Sequence, residues 1–297
     1  DLADLAADED ANNLVAALLY KSKTSALGMY GVLRSQQDAR GLTIDATVLD
    51  LFAAHGARLG RWQVQAATEW LMIMGETTYF RTPTNHEKLK LLQYGGAVHI
   101  QAERKGFGSR LQAGLASGDD RPFDDTVRNL KFAADYRIGM VMFGAGLRRM
   151  TAVGAANLAD PRFTGNAPQG FERLASNGAL SQAMYLNPVV RFEPVTDLQL
   201  VGGLLWARAP VPLVDPYQTG LAGGAPRNQR GGKAGTDLGL EVDAGLRWKK
   251  PLGAGLALHV RFDAGVWQPG EAFDDLEGRP AAAVAVIASQ VLLTGEW

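Results

Sequence analysis

Along residues 236–249 (TDLGLEVDAGLRWK), Leu238, Leu240, Val242, Ala244, Leu246 and Trp248 share one parity, while Asp237, Glu241, Asp243, Arg247 and Lys249 share the other. A two-residue period belongs to an extended chain, whose successive side chains point to opposite faces. Residues 255–267 repeat the pattern, with Leu256, Leu258, Val260, Phe262, Ala264 and Val266 opposing His259, Arg261 and Asp263. The KPLGAG between the two segments reads as the turn of a hairpin. Upstream, Trp62, Val64, Ala66, Thr68, Trp70 and Met72 oppose Arg61, Gln63, Gln65 and Glu69; Leu92, Tyr94, Val98 and Ile100 oppose Gln93, His99, Gln101 and Glu103; and Leu186, Val190 and Phe192 oppose Asn187, Arg191 and Glu193.

Alternation alone fits a soluble sandwich as well as a barrel, so the linkers decide. Candidate strands are 25–35, 42–53, 60–74, 89–104, 107–117, 136–147, 149–157, 179–193, 198–208, 236–249, 255–267 and 282–297. Most run about 10 to 14 residues, enough to cross a bilayer when tilted. Short connections (54–59, 105–106, 194–197, 250–254) take turns with long polar ones (75–88, 118–135, 158–178, 209–235, 268–281). Tight turns on one rim and extended loops on the other mark a transmembrane barrel. The expected fold is therefore all-β, a transmembrane antiparallel up-and-down β-barrel of about 12 strands in this chain, with more in a longer precursor, occupying residues 25–297. With the long loops extracellular, the last strand descends to the periplasm.

Residues 1–24 form a lead or an additional strand. In NNLVAALLYKSK, Leu14 and Leu18 fit a helical spacing, and Val15 to Tyr20 serve equally as a strand. A strand there raises the count to thirteen, an odd number that would point to further strands upstream. No basic and apolar leader stands at Asp1, so a secretory signal was either never present or has been removed. No uncharged run, 280–295 among them, reaches the roughly 18 residues of a spanning helix. With 30 Lys+Arg against 31 Asp+Glu, the net charge of -1 gives no pull toward a polyanion, and no nucleic-acid partner is expected. The absence of cysteine excludes disulfides, zinc-thiolate sites and a thiol nucleophile.

Several stretches taken in order carry a resemblance: GLASGDDRPFDD at 114–125 with DYRIGMVMF at 135–143, YLNPVVRFEPVTDLQLVGGLLWAR at 185–208, GTDLGLEVDAGLRWKK at 235–250 and FDAGVWQPGEAFDD at 262–275. Together they resemble the alginate-export family of bacterial outer-membrane barrels, over roughly 89–297. That resemblance implies an outer-membrane channel, with polysaccharide export in the namesake. The alternating final strand, ending on Trp297, resembles the C-terminal signature of outer-membrane barrels, although Ser289 and Gly295 stand where that signature prefers apolar residues.

If the charged parity faces a lumen, Glu69, His99, Glu103, Arg110, Arg191, Glu193, Asp237, Glu241, Asp243, Arg247, His259, Arg261 and Asp263 line it. Mixed signs suit either a wet pore or a polar interior that is merely neutralised. An acid/base ladder between Asp237, Glu241, Asp243 and His259, Arg261, Asp263 fits charge neutralisation better than solute selection. Trp62, Trp70, Tyr94, Trp206 and Trp248 sit on apolar parities, as an interfacial girdle or ordinary core would have them. His55, His86, His99 and His259 lack metal-ligand spacing, so no metal and no cofactor is expected. Inward-facing His99 and His259 have no serine at a matching position, and no catalytic residue or enzymatic activity is expected. The glycines of FGAGL at Gly144 and Gly146 read as strand glycines. The acidic loops 117–125 and 270–278 lack EF-hand spacing and read as solvated loop ahead of a Ca²⁺ site. Pro/Gly-rich 209–235 is expected to be mobile, constricting the mouth or docking a partner.

The function expected is a porin- or export-type channel for polar solutes or polysaccharide in the bacterial outer membrane, with lipid and envelope proteins as partners. The alternatives are a closed structural barrel anchoring an envelope complex and a soluble all-β binding module.

Overall fold

The computed structural model describes residues 10–78, 88–133, 135–146, 179–253 and 256–295. Within them lie β1 (Asp10–Lys21), β2 (Ser25–Gln37), β3 (Thr43–Leu59), β4 (Trp62–Thr77), β5 (Leu89–Arg104), β6 (Phe107–Ala116), the two-residue β7 (Thr126–Val127), β8 (Met184–Val195), β9 (Leu198–Arg208), β10 (Asp237–Gly253), β11 (Leu256–Gln268) and β12 (Val284–Gly295). All twelve belong to one sheet, in the order β1-β2-β3-β4-β5-β6-β8-β9-β10-β11-β12, with β7 pairing parallel to the start of β5. Every other pairing is antiparallel, and all but β6 with β8, which skips β7, join strands consecutive in sequence. Strands β1 and β12 are the two edges, and no hydrogen bond joins them among the described residues.

The stretch at 11–20 is thus a strand, settling its helix-or-strand ambiguity. Two other expected strands differ. The described part of 136–147, residues 136–146, forms no strand, and 149–157 lie outside the described residues, as do 158–178, His86 and Trp297. Residues 136–141 instead run through turns into a π-helical turn, Met142–Gly146. The physical reason is consecutive burial. Val141, Met142 and Phe143 are all buried, whereas a strand of a single sheet would send Met142 to the opposite side. Gly144 and Gly146 therefore lie off the sheet. A Cβ on Gly146 would meet the Trp267 ring at 2.5 Å. Strand β6 pairs antiparallel with β8, so every later strand runs in its expected direction.

The connections keep the expected asymmetry. Residues 22–24, 60–61, 105–106, 196–197 and 254–255 separate strands at one rim, while 38–42, 78–88, 117–183, 209–236 and 269–283 separate them at the other. We call these the turn rim and the loop rim.

The apolar parity is exposed along the sheet. Leu18 is 70% exposed, Leu51 54%, Val190 50%, Val242 53% and Ile287 70%, although each sits in the body of a strand. Trp70, Tyr94, Trp206 and Trp248 share this face. At the turn rim the Trp62 ring meets Phe107 edge-on at 5.8 Å and carries the Arg104 guanidinium 4.7 Å from its centroid. Isolated exposed leucines are ordinary, but an apolar face continuous over eleven strands is not a feature of monomers in water.

The packed core lies on the opposite face, toward the loop rim. Ile138, Val141, Met142 and Phe143 pack with Leu205, Leu238, Trp267 and Phe273, and Leu71 and Ile73 of β4 and Val284 and Val286 of β12 touch the same cluster. Contacts from β4 and β12 to one cluster require the sheet to curl around it. A bulge between Asp237 and Gly239 shapes this core. The extra residue turns Leu238 inward, where it is 1% exposed, instead of onto the apolar outer face its parity predicts. Gly239 there has φ +101°, and a Cβ on it would stand 2.0 Å from the Gln268 carbonyl oxygen. Gly239→Ala is expected to destabilise the protein by more than about 1 kcal/mol, checked by urea unfolding in detergent, with Gly202→Ala on the open outer face as the neutral control.

Candidate functional site

Register decides which side chains share the core-side face. Glu69 stands opposite Ala97, His99 opposite Gln112, Glu103 opposite Gly108, and Arg110 opposite Val189. Across β8 to β11, Arg191 pairs with Val201, Glu241 with Leu205, Asp243 with Gly203, and Arg247 with Gln199 on one side and Arg261 on the other. Because directly paired residues lie on the same side of a sheet, these residues together with Glu193, His259 and Asp263 line one face. Asp237 does not join them. The bulge places it opposite Arg208, on the outward parity, where its carboxylate accepts the Gly239 N–H at 2.9 Å.

The expected acid/base ladder between β10 and β11 is replaced by a different arrangement. Arg247 faces Arg261, Asp263 faces Gly245, and Glu241 faces Trp267. Arg261 instead ion-pairs with Asp263 two residues along its own strand. Arg191 reaches Glu103 at 2.8 Å and Glu193 at 3.8 Å. The glycines opposite the acids are cradles: a Cβ on Gly245 would lie 2.6 Å from Asp263 Oδ1, and one on Gly265 would lie 2.5 Å from Asp243 Oδ1.

Glu241 is the anchor of the inward segment. Its carboxylate, 0% exposed, accepts the backbone N–H groups of Met140, of Val141 at 2.8 Å and of Met142 at 2.6 Å. Gly139, at φ +64°, lets the chain approach, since a Cβ there would come within 2.7 Å of Glu241 Oε1 and of Leu205. Three converging N–H groups on one carboxylate are the arrangement usually seen around a bound anion; here the protein supplies the anion itself. Beside it, Tyr136 shares a 2.6 Å hydrogen bond with Tyr185, and burial pushes its hydroxyl above the ordinary range.

Residues not singled out by sequence also sit here. Asp50 is 2% exposed and pairs across with Tyr30 and Leu71, on the parity of Glu69. An aspartate inside the apolar TVLDLF was the available signal. Lys249 pairs with His259 on the same face. On the outward parity at the turn rim, Ser25 Oγ and His55 Nδ1 lie 2.9 Å apart, on the face opposite to His99 and His259.

The acidic loops are occupied by their own arginines. Asp119 accepts the N–H groups of Arg121 and Arg128, both at 3.0 Å, and the Arg128 guanidinium lies 2.8 Å from Asp124 and 3.6 Å from Asp119. Asp275 is bound by Arg279 at 2.7 Å. The segment 209–235, expected to be mobile, is instead folded onto loop 269–283. It carries the short helix α1 (Pro216–Leu221), capped by Asp215, whose carboxyl burial pushes upward. Asn228 is the physical reason for its order: Oδ1 accepts the N–H groups of Arg230 and Gly232, and Nδ2 donates to Asp274 O at 2.8 Å.

No family model matches the chain, and no curated protein matches it. Among solved structures, it is similar to CdiB from Escherichia coli (10% identity, 96% of this chain and 47% of that one, TM-score 0.42). It is also similar to Pseudomonas aeruginosa OccK2 in complex with glucuronate (11% identity, 94% and 62%, TM-score 0.41). A third is the Salmonella typhi outer membrane phospholipase dimer with bound calcium (11% identity, 97% and 79%, TM-score 0.31).

Proposed function

We propose that the chain forms the wall of a transmembrane β-barrel in the bacterial outer membrane and conducts polar solutes along its charged face, without catalysing a reaction. The observation that carries this reading is the division of the sheet: an exposed apolar face over eleven long strands, with charged groups, glycines and the packed loop segment on the other side. Lipid is the medium in which such an apolar face is stable. The contrast between turn rim and loop rim supports the same reading, in which the loops face outside the cell. Extension to polysaccharide rests on the resemblance to the alginate-export family.

A second reading is a closed scaffold that anchors other envelope proteins. It is favoured by the inward segment, because Ile138, Val141 and Met142 touch strands from β4 to β12 and fill part of the interior. Planar-bilayer recording of the purified protein separates the two. Discrete conductance steps are expected from the channel, enlarged in a variant lacking 209–235. Silence from both proteins, with stoichiometric partners on purification, leaves the scaffold.

A further inference from the structure

We propose that the turn-rim end of the charged face binds a small anion bearing carboxylate or phosphate oxygens, with Arg247 and Arg261 as its principal ligands. The first observation is a juxtaposition that the sheet alone does not favour. Arg247 and Arg261 are direct cross-strand neighbours on one face, and like charges so placed destabilise a sheet unless something neutralises them.

The protein's own carboxylates leave that neutralisation incomplete. Asp263 is taken by Arg261. Arg247 has only a carboxamide, its Nη1 donating to Gln199 Oε1 at 2.9 Å, and no carboxylate lies within 4.0 Å of it among the described residues. Gln199 passes its other end, Nε2, to Glu193 at 3.0 Å, so this glutamine holds Arg247 in place without cancelling its charge.

The second observation is space. A cavity of about 390 Å³ opens beside the pair, lined by Arg247, Lys249, Arg261, His259, Gln199 and Gln290 among others. Glu193 and Asp197 also line it, against three permanent cations, and Glu193 is already engaged by Gln199 and Arg191. The volume lies at the lower end of ligand pockets, which run about 300 to 1,000 Å³. It suits a compact acid, such as a sugar acid, a dicarboxylate or a phosphate ester, and not a length of polymer. Guanidinium forks match the paired oxygens of carboxylate and phosphate, which gives the site geometry as well as charge.

The inference deepens the channel reading by naming a solute class, and its test needs no conductance. Titration calorimetry of the full chain in detergent at low ionic strength uses inorganic phosphate and succinate as probes. Arg247→Gln and Arg261→Gln are each expected to weaken binding of at least one probe tenfold or more. Arg247→Lys, which keeps the charge and loses the fork, is expected to fall between. Glu193→Gln is expected to tighten binding, and Arg40→Gln at the loop rim to leave it unchanged. Equal binding by wild type and Arg247→Gln, or no binding by wild type to either probe, overturns the proposal. A protein that binds but never conducts keeps the anion site and loses the channel; one that conducts but does not bind loses the site alone.

Discussion

Glu241→Ala is expected to destabilise the protein by about 3 to 5 kcal/mol, because it strands the buried N–H groups of Met140, Val141 and Met142, each worth about 1 to 3 kcal/mol when left without an acceptor. The loss is partly offset if segment 136–146 leaves the interior and its N–H groups meet water. That escape is itself measurable, as faster proteolysis between Tyr136 and Gly146 and, in a conducting protein, as larger single-channel steps. Glu241→Gln keeps one acceptor oxygen and is expected to lie between wild type and alanine. An alanine variant with the wild-type urea midpoint and unchanged protease resistance would show that the Glu241 contacts do not hold the segment in place.

Val190→Arg tests the medium around the sheet. Val190 lies near the middle of β8 on the outward face and is half exposed. At the midplane of a bilayer an arginine there is expected to cost about 2 to 4 kcal/mol; at a water-exposed position of the same burial the change stays within about 0.5 kcal/mol. Reversible unfolding from lipid vesicles reads the difference. Lysine at 190 should behave similarly, and a variant indistinguishable from wild type means that water, not acyl chains, meets this face.

The period of the strands was open to reading because it depends only on which residue follows which. Parity correctly separated Leu240, Val242 and Val260 from Glu241, Asp243 and Arg261. It failed at Asp237 and Leu238, since a bulge is one inserted residue and adds no apolar or charged signal of its own. It failed again at 136–147, where IGMVMF has the composition of a strand and only contacts with Leu205 and Trp267 make it a packed turn. The cross-strand partners were equally hidden. That Arg247 meets Arg261, and not Asp263, depends on how the chain turns after Gly253, and a shift of one residue would have given a different set of neighbours. The inward segment's attachment to Glu241 joins residues about a hundred positions apart, a distance over which no local pattern speaks.

Strands β1 and β12 each begin at the loop rim and descend to the turn rim, and among the described residues each leaves one side of its backbone without a partner. In hydrocarbon, uncovered amides of that kind cost several kcal/mol apiece, so a membrane setting demands a cover for both seams. Antiparallel cover requires ascending polypeptide, and only an odd number of ascending and descending passes can satisfy both seams at once. A sister molecule inserted the same way up offers descending seams alone, which excludes simple edge-to-edge pairing of two copies as the way this wall is sealed by antiparallel bonds.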